Sequence, residues 1–254
     1  MGISLNKNNN SKPINISGAE AVIRCLLEEG ANLVYGYPGG AIMPIYDEIF
    51  KFQHLLHHVL TRHEQGATHA AQGYARTSGK VGVALATSGP GATNLVTGIA
   101  DAQIDSTPMV CITGQVASHL LGSDAFQETD IIGISTPVTK WNYQITRANE
   151  IPEIIAKAFY IARSGRPGPV LIDLPKDVVS AECVSSFPEN IDLPGYEVSM
   201  KGNADDIVRA AHIIMESRCP LLYVGAGAVG AGAAKEVLEL AEKLQAPVTT
   251  TLLG

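Results

Sequence analysis

Three runs constrain this chain more than any other feature: KVGVALATS at 80–88, TPMVCITG at 107–114 and GPVLIDLP at 168–175. Each is apolar at consecutive positions, where a strand with one wet face would alternate. Such strands bury both faces, and helical patterns lie between them. The chain is therefore predicted to be α/β, with a doubly wound, mostly parallel sheet covered by helices on both sides.

The remaining segments fit that scheme. SGAEAVIRCLLEEG (17–30) reads as a helix with Ser17 as N-cap and Gly30 as its stop. NLVYGYPGG is a strand running into a glycine turn, and AIMPIYDEIF is a helix that tolerates Pro44 in its first turn. HHVLT is a strand, LVTGIADAQ and EIPEIIAKAFYIARSG are helices, and the more polar WNYQIT suits a sheet edge. Residues 1–16 read as a flexible tail and 17–182 as the first domain. Residues 183–203, CVSSFPENIDLPGYEVSMKGN, hold no sustained period and read as a linker. Residues 204–254 then start a second, Rossmann-like α/β unit. Its two βα repeats are too few to close a doubly wound sheet, which predicts a truncated piece of a longer protein.

The net charge of −7, with no basic run, argues against nucleic acid as a partner. No apolar run reaches the length of a membrane span, and the polar start MGISLNKNNNSKP lacks the apolar core of a secretory signal, so a cytoplasmic protein is expected. The four cysteines lie far apart and are expected to be buried free thiols.

Three loops fall just after strands: YPGGA (37–41), TRHEQ (61–65) and TSGPG (87–91). In open parallel sheets, loops beyond the carboxyl ends of strands line the ligand crevice, so their coincidence marks a candidate site. Within TRHEQ, Thr61-x-x-Glu64 has the form of a capping box, with Thr61 capping a helix and Glu64 reaching back to its backbone. Glu64 therefore has a structural reading beside any chemical one. The small Ala67, Ala71 and Ala75 permit close packing of that helix, in the core or against a second subunit. His63 and His69 lack the carboxylate cluster of a metal site. Farther on, Gly225, Gly227 and Gly230 form GxGxxG between a strand and a helix, which suits phosphate. The strand that follows offers no carboxylate for a ribose, so a nicotinamide is disfavoured, and a turn that needs glycine only for packing stays open.

The segments GYPGGAIMPIYDEI, RHEQGATHAAQGYARTSGKVGVALATSGPGATNLVTGIADAQIDSTPMVCITGQV, GSDAFQETD and SGRPGPVLIDLPKDV together resemble the catalytic large subunit of acetolactate synthase, of the biosynthetic FAD-containing type. The resemblance implies three α/β domains, of which this chain carries the pyrimidine-binding domain and the start of the FAD-binding one. The third, which holds Mg²⁺ and the diphosphate of thiamine diphosphate, is implied to lie elsewhere. The implied activity decarboxylates pyruvate and joins its two-carbon unit to a second pyruvate or to 2-ketobutyrate, at the start of valine, leucine and isoleucine biosynthesis. A homodimer or higher oligomer and a small regulatory subunit are the implied protein partners. The alternatives are another thiamine-diphosphate decarboxylase, carboligase or oxidase, or a non-catalytic fragment. Glyoxylate carboligase lacks the glutamate of RHEQ, which counts against it.

By position, the resemblance assigns Glu64 to N1′ of the cofactor's aminopyrimidine, where a carboxyl sharing a proton with the ring activates the cofactor. It places Pro38, Gly40, Pro90, Asn94 and Gln127 around the same cofactor. It assigns Arg166, Gly225, Ala226, Gly227, Thr251 and Leu252 to FAD. Ala41, Ala117, Phe126 and Lys176 fall in its substrate and inhibitor channel. Ala117 departs from the proline of herbicide-sensitive plant members, which implies reduced sulfonylurea sensitivity. No metal ligand is assigned to this chain.

Overall fold

The computed structural model describes residues 15–184, 186–188 and 190–254. They divide into two compact units, with the boundary between Val198 and Ser199.

The first unit runs β1 (Asn15–Ser17), α1 (Gly18–Glu28), β2 (Leu33–Gly36), α2 (Met43–Lys51), β3 (His57–Leu60), α3 (Glu64–Ser78) and β4 (Gly82–Ala86). It continues with α4 (Pro90–Asn94), α5 (Val96–Ile104), β5 (Met109–Gln115), α6 (Ile131–Ser135), β6 (Trp141–Gln144) and α7 (Ile151–Arg163). It closes with β7 (Pro169–Pro175), α8 (Lys176–Ser180) and β8 (Glu182–Val184). Six strands form one parallel sheet in the order β3-β2-β4-β5-β7-β6, which puts the polar WNYQ strand at an edge.

The consecutive apolar runs divide between two cores as their composition requires. Val83, Leu85, Val110, Ile112, Val170 and Ile172 face α1, α2 and α7. Ala84, Ala86, Met109, Cys111 and Leu171 face α3, α5 and α6. The second face is built from smaller side chains. Ala67, Ala71 and Ala75 of α3 are buried in the fold itself, and a Cβ on Gly82 would collide with the Ala71 carbonyl. Small residues on α3 thus let it lie close on β4.

Several expectations need correction. The tail expected over 1–16 lies outside the described residues up to residue 14. Asn15 and Ile16 belong to β1, which pairs antiparallel with β8, and Ile16 is buried. The helix expected at LVTGIADAQ is α5, but a short helix not expected, α4, precedes it: Pro90 occupies a first-turn position where its missing N–H costs nothing, and Leu95 joins α4 to α5. Three cysteines are free and buried, but Cys219 is exposed. Burial pushes the Cys25 and Cys111 thiols upward, which keeps them inert.

The second unit comprises α9 (Ala204–Glu216), β9 (Leu222–Val224), α10 (Ala226–Gly230), α11 (Ala234–Leu244) and β10 (Val248–Thr250), with β9 and β10 paired in parallel. Asn203 caps α9, accepting from the backbone N–H groups of Asp205 and Asp206. No helix of the described residues is long and apolar enough to cross a membrane.

Candidate active site

The sheet has one point where successive connections diverge. From β2 the chain moves through α2 to β3 at one edge, and from β4 it moves through α5 to β5 on the other side. The neighbours β2 and β4 therefore leave a crevice beyond their carboxyl ends. YPGGA follows β2 and TSGPG follows β4, and both line it.

Glycines let these loops meet. Thr87 Oγ1 accepts the Ala41 N–H at 3.2 Å, and a Cβ on Gly39 would stand 2.5 Å from the Thr87 side chain. A Cβ on Gly114, at the end of β5, would stand 2.8 Å from the backbone of Ala41 and Ile42. Gly89 adopts φ 57° and ψ −121°, a region essentially reserved to glycine, and its Cβ would lie 2.6 Å from the Gln127 carbonyl. Gln127 itself has φ 59°. A Cβ on Gly91 would lie 3.2 Å from Glu64 Oε1. Nothing lies within 4 Å of a Cβ on Gly40, so that backbone faces open space.

Glu64 is the first residue of α3 and is only 7% exposed. Asn94 Nδ2 donates to its Oε2 at 3.0 Å, and no hydrogen bond among the described residues reaches Oε1. The capping-box expectation is wrong here. His63 is the N-cap, its Nδ1 accepting the Gln65 N–H, while Thr61 Oγ1 is buried without a partner. Because Glu64 stands one position after the cap, its carboxylate points across to α4 and leaves the helix end to His63. Burial, and secondarily the charge of Glu64, raise the Tyr46 hydroxyl above its ordinary range. Tyr46 also lies 3.2 Å from His58 Nε2, and Gly36 gives it room.

The segment 116–130 closes one side of the crevice. Its start is held by Asp177, whose Oδ1 accepts the Ser118 N–H and hydroxyl at 2.9 and 3.0 Å. The Glu128 carboxylate accepts the N–H groups of Gly122 and Ala125. Ala117 is its second residue, Phe126 is 87% exposed within it, and Lys176 follows β7 at the same end of the sheet. Pro38, Gly40, Ala41 and Gln127 lie on the loops described, and Pro90 and Asn94 begin and end α4, which starts within TSGPG. Arg166 does not join them. It precedes β7, at the amino ends of the strands and so at the opposite end of the sheet, and donates to Ser106 Oγ and to the Ile104 carbonyl. In the second unit, a Cβ on Gly225 would stand 3.7 Å from Thr251, whose N–H bonds the Val224 carbonyl. That turn and the end of β10 are neighbours, with Ala226, Gly227 and Leu252 beside them.

Sequence reasoning missed a buried polar row. Register pairs Thr113 with Asp173 and Asp173 with Gln144 across β5, β7 and β6. Asp173 accepts from Thr113 Oγ1 at 2.6 Å, Gln144 Nε2 at 2.8 Å and Gln115 Nε2 at 3.2 Å. No cation among the described residues contacts it. Burial raises its pKa to about 6, against the pull of these three donors. A carboxyl raised in the folded state favours folding while protonated, below its unfolded value near 4. That contribution is lost as pH rises through about 6 and amounts to about 3 kcal/mol. Chemical denaturation at pH 4 and pH 7 should show this loss in the wild type, and Asp173→Asn should flatten it. Equal pH dependence in both would assign it to other groups.

Residues 16–134 match the family described as thiamine pyrophosphate enzyme, N-terminal TPP binding domain, and residues 207–254 match the central domain of the same enzymes. The chain belongs to the thiamine pyrophosphate enzymes. It is 54% identical over 242 residues to the acetolactate synthase large subunit of Corynebacterium glutamicum, covering 95% of this chain and 38% of that protein. It is 52% identical over 239 residues to the acetolactate synthase of Mycobacterium bovis, covering 94% and 38%. It is 51% identical over 242 residues to a probable acetolactate synthase large subunit of Methanocaldococcus jannaschii, covering 94% and 41%. Within its family the chain is a homologue of acetolactate synthase large subunits, and it spans about two fifths of their length.

Proposed function

We propose that this chain supplies the pyrimidine-binding half of an acetolactate synthase active site, and that Glu64 is its catalytic residue. The observation that carries the reading is a buried carboxylate with one oxygen held by Asn94 and the other without a hydrogen bond among the described residues, over the glycine-floored crevice at the switch point. That arrangement fits an aminopyrimidine: a free carboxyl oxygen for a ring nitrogen, and backbone approachable at Gly40. When bound, thiamine diphosphate supplies the electron sink that lets a 2-keto acid lose CO₂. Glu64 would hold and pass a proton at N1′ of the pyrimidine. Asn94 fixes the carboxylate's orientation. Pro38, Pro90 and Gln127 shape the walls, and Ala41, Ala117, Phe126 and Lys176 border the approach of pyruvate and 2-ketobutyrate.

Mg²⁺ and the diphosphate belong, on this reading, to a third domain of the family; among the described residues, no group of three His, Cys, Asp or Glu could hold a metal. FAD is assigned to the turn at Gly225, Ala226 and Gly227 with Thr251 and Leu252, where a Cβ on Gly227 would meet nothing within 4 Å. Arg166 is assigned to FAD on family resemblance alone. A homodimer with a small regulatory subunit, in the cytoplasm, completes the reading. Purified chain given pyruvate, thiamine diphosphate, Mg²⁺ and FAD should form no acetolactate. The polypeptide that also carries a diphosphate-binding domain should form it, and failure there would refute the assignment.

Ala117 offers a separate check. Its φ of −60° is already the angle a proline ring imposes. Ala117→Pro should therefore change stability by less than about 1 kcal/mol, while lowering the sulfonylurea concentration needed for inhibition of the active enzyme. Superimposable inhibition curves would remove Ala117 from the inhibitor channel.

A further inference from the structure

The buried row around Asp173 has a feature that plain sheet packing does not require. A carboxylate with no cation partner among the described residues, set among neutral donors in an apolar sheet, is costly, and an apolar residue at the same place would pack without that cost. One donor leads out of the row. Gln115, itself buried, uses Nε2 twice: toward Asp173 Oδ2, and at 2.9 Å toward the Thr129 carbonyl at the end of the 116–130 segment. Gln115 Oε1 accepts the Val116 N–H at 2.9 Å, at the start of that segment. A carboxylate only accepts, so Asp173 dictates that the amide turns its nitrogen inward. With the nitrogen so placed, its second N–H falls to Thr129 and its oxygen to Val116. Thr129 is two residues from Gln127, whose carbonyl lies against Gly89.

We propose that Asp173 is a positioning residue: by orienting the Gln115 amide, it ties both ends of the 116–130 segment and so sets where Phe126 and Gln127 stand against the Glu64 crevice. The relevance to catalysis rests on the function proposed above, but the tie itself does not. Gln144 and Thr113 complete the carboxylate's hydrogen bonds and make none to the segment, so they hold Asp173 while Gln115 transmits it.

Hydrogen–deuterium exchange on the full chain without cofactor separates this from a general packing role. Three variants are compared with the wild type: Asp173→Asn, Gln115→Met and Thr113→Val. Amides of 117–129 should exchange at least tenfold faster in Asp173→Asn and Gln115→Met, with β4 and β5 amides unchanged. Thr113→Val removes a hydrogen bond to the same carboxylate and should leave the segment as it is. If Thr113→Val frees the segment as much as Gln115→Met, or if the sheet loosens equally with it, Asp173 is merely structural. Unchanged segment exchange in Gln115→Met also overturns the proposal. Should Asp173→Asn fail to fold, the other two variants decide. Because no thiamine compound is present, a failed cofactor assignment would leave this result standing.

Discussion

Glu64→Gln in the active enzyme should lower acetolactate formation by two or more orders of magnitude while leaving the fold nearly untouched. The structure separates the two effects. Helix α3 is capped by His63, and Glu64 makes no cap bond, so the helix start does not depend on the carboxylate. Its one hydrogen bond is accepted from Asn94, and a glutamine oxygen can accept it as well. The expected stability change is therefore below about 1 kcal/mol. A neutral amide cannot exchange a proton with the pyrimidine, and loss of a positioned proton-transfer group costs roughly 10²–10⁴-fold. Asn94→Ala should show a smaller loss, because it removes orientation and keeps the proton. Unchanged turnover in Glu64→Gln would leave Glu64 as a buried helix-start residue and nothing more.

Gly89→Ala should disable the site by a steric route. Its φ of 57° with ψ −121° is a conformation that costs a side chain on the order of 1–3 kcal/mol. The new methyl would also meet the Gln127 carbonyl at 2.6 Å and its carbon at 2.9 Å, and backbone cannot swing aside as a flexible side chain can. The 116–130 segment must move, and with it the wall that carries Phe126 and Gln127. Thermal unfolding should fall by several degrees, since about 1 kcal/mol shifts a domain of this size by about 2–4 °C, and thiamine diphosphate should bind the complete enzyme at least tenfold more weakly. Gly40→Ala is the informative contrast. It meets no atom within 4 Å, so it should leave unfolding unchanged and weaken only ligand binding. Equal binding by wild type and Gly89→Ala would place the cofactor away from this crevice.

The sheet was legible because its central strands carry consecutive apolar residues and do not alternate. KVGVALATS and GPVLIDLP leave no wet face, and the alternation with helical patterns then forces a parallel, doubly covered arrangement. The crevice was legible from the glycine loops that follow β2 and β4. Their contact through Thr87 was not, since a threonine in a turn carries no mark of what it touches 46 residues away. The capping of α3 went astray because Thr61 and Glu64 satisfy the local spacing rule. The chain places its first helical residue so that His63, one position before Glu64, caps instead. The β1–β8 pairing joins residues at opposite ends of the first unit, and neither three-residue strand has a pattern of its own. The Asp173 row escaped for a related reason. Thr113, Gln115, Gln144 and Asp173 are isolated polar residues in otherwise unremarkable strands, and only the register of β5, β7 and β6 puts them together.

The most direct test of the role given to Glu64 is proton exchange at C2 of thiamine diphosphate bound to the complete enzyme, followed by rapid quench in D₂O and NMR. In the wild type, exchange should be fast compared with turnover. In Glu64→Gln it should slow by two orders of magnitude or more with the cofactor still bound. Exchange at the wild-type rate in Glu64→Gln, at full cofactor occupancy, would contradict the assignment of this carboxylate to cofactor activation.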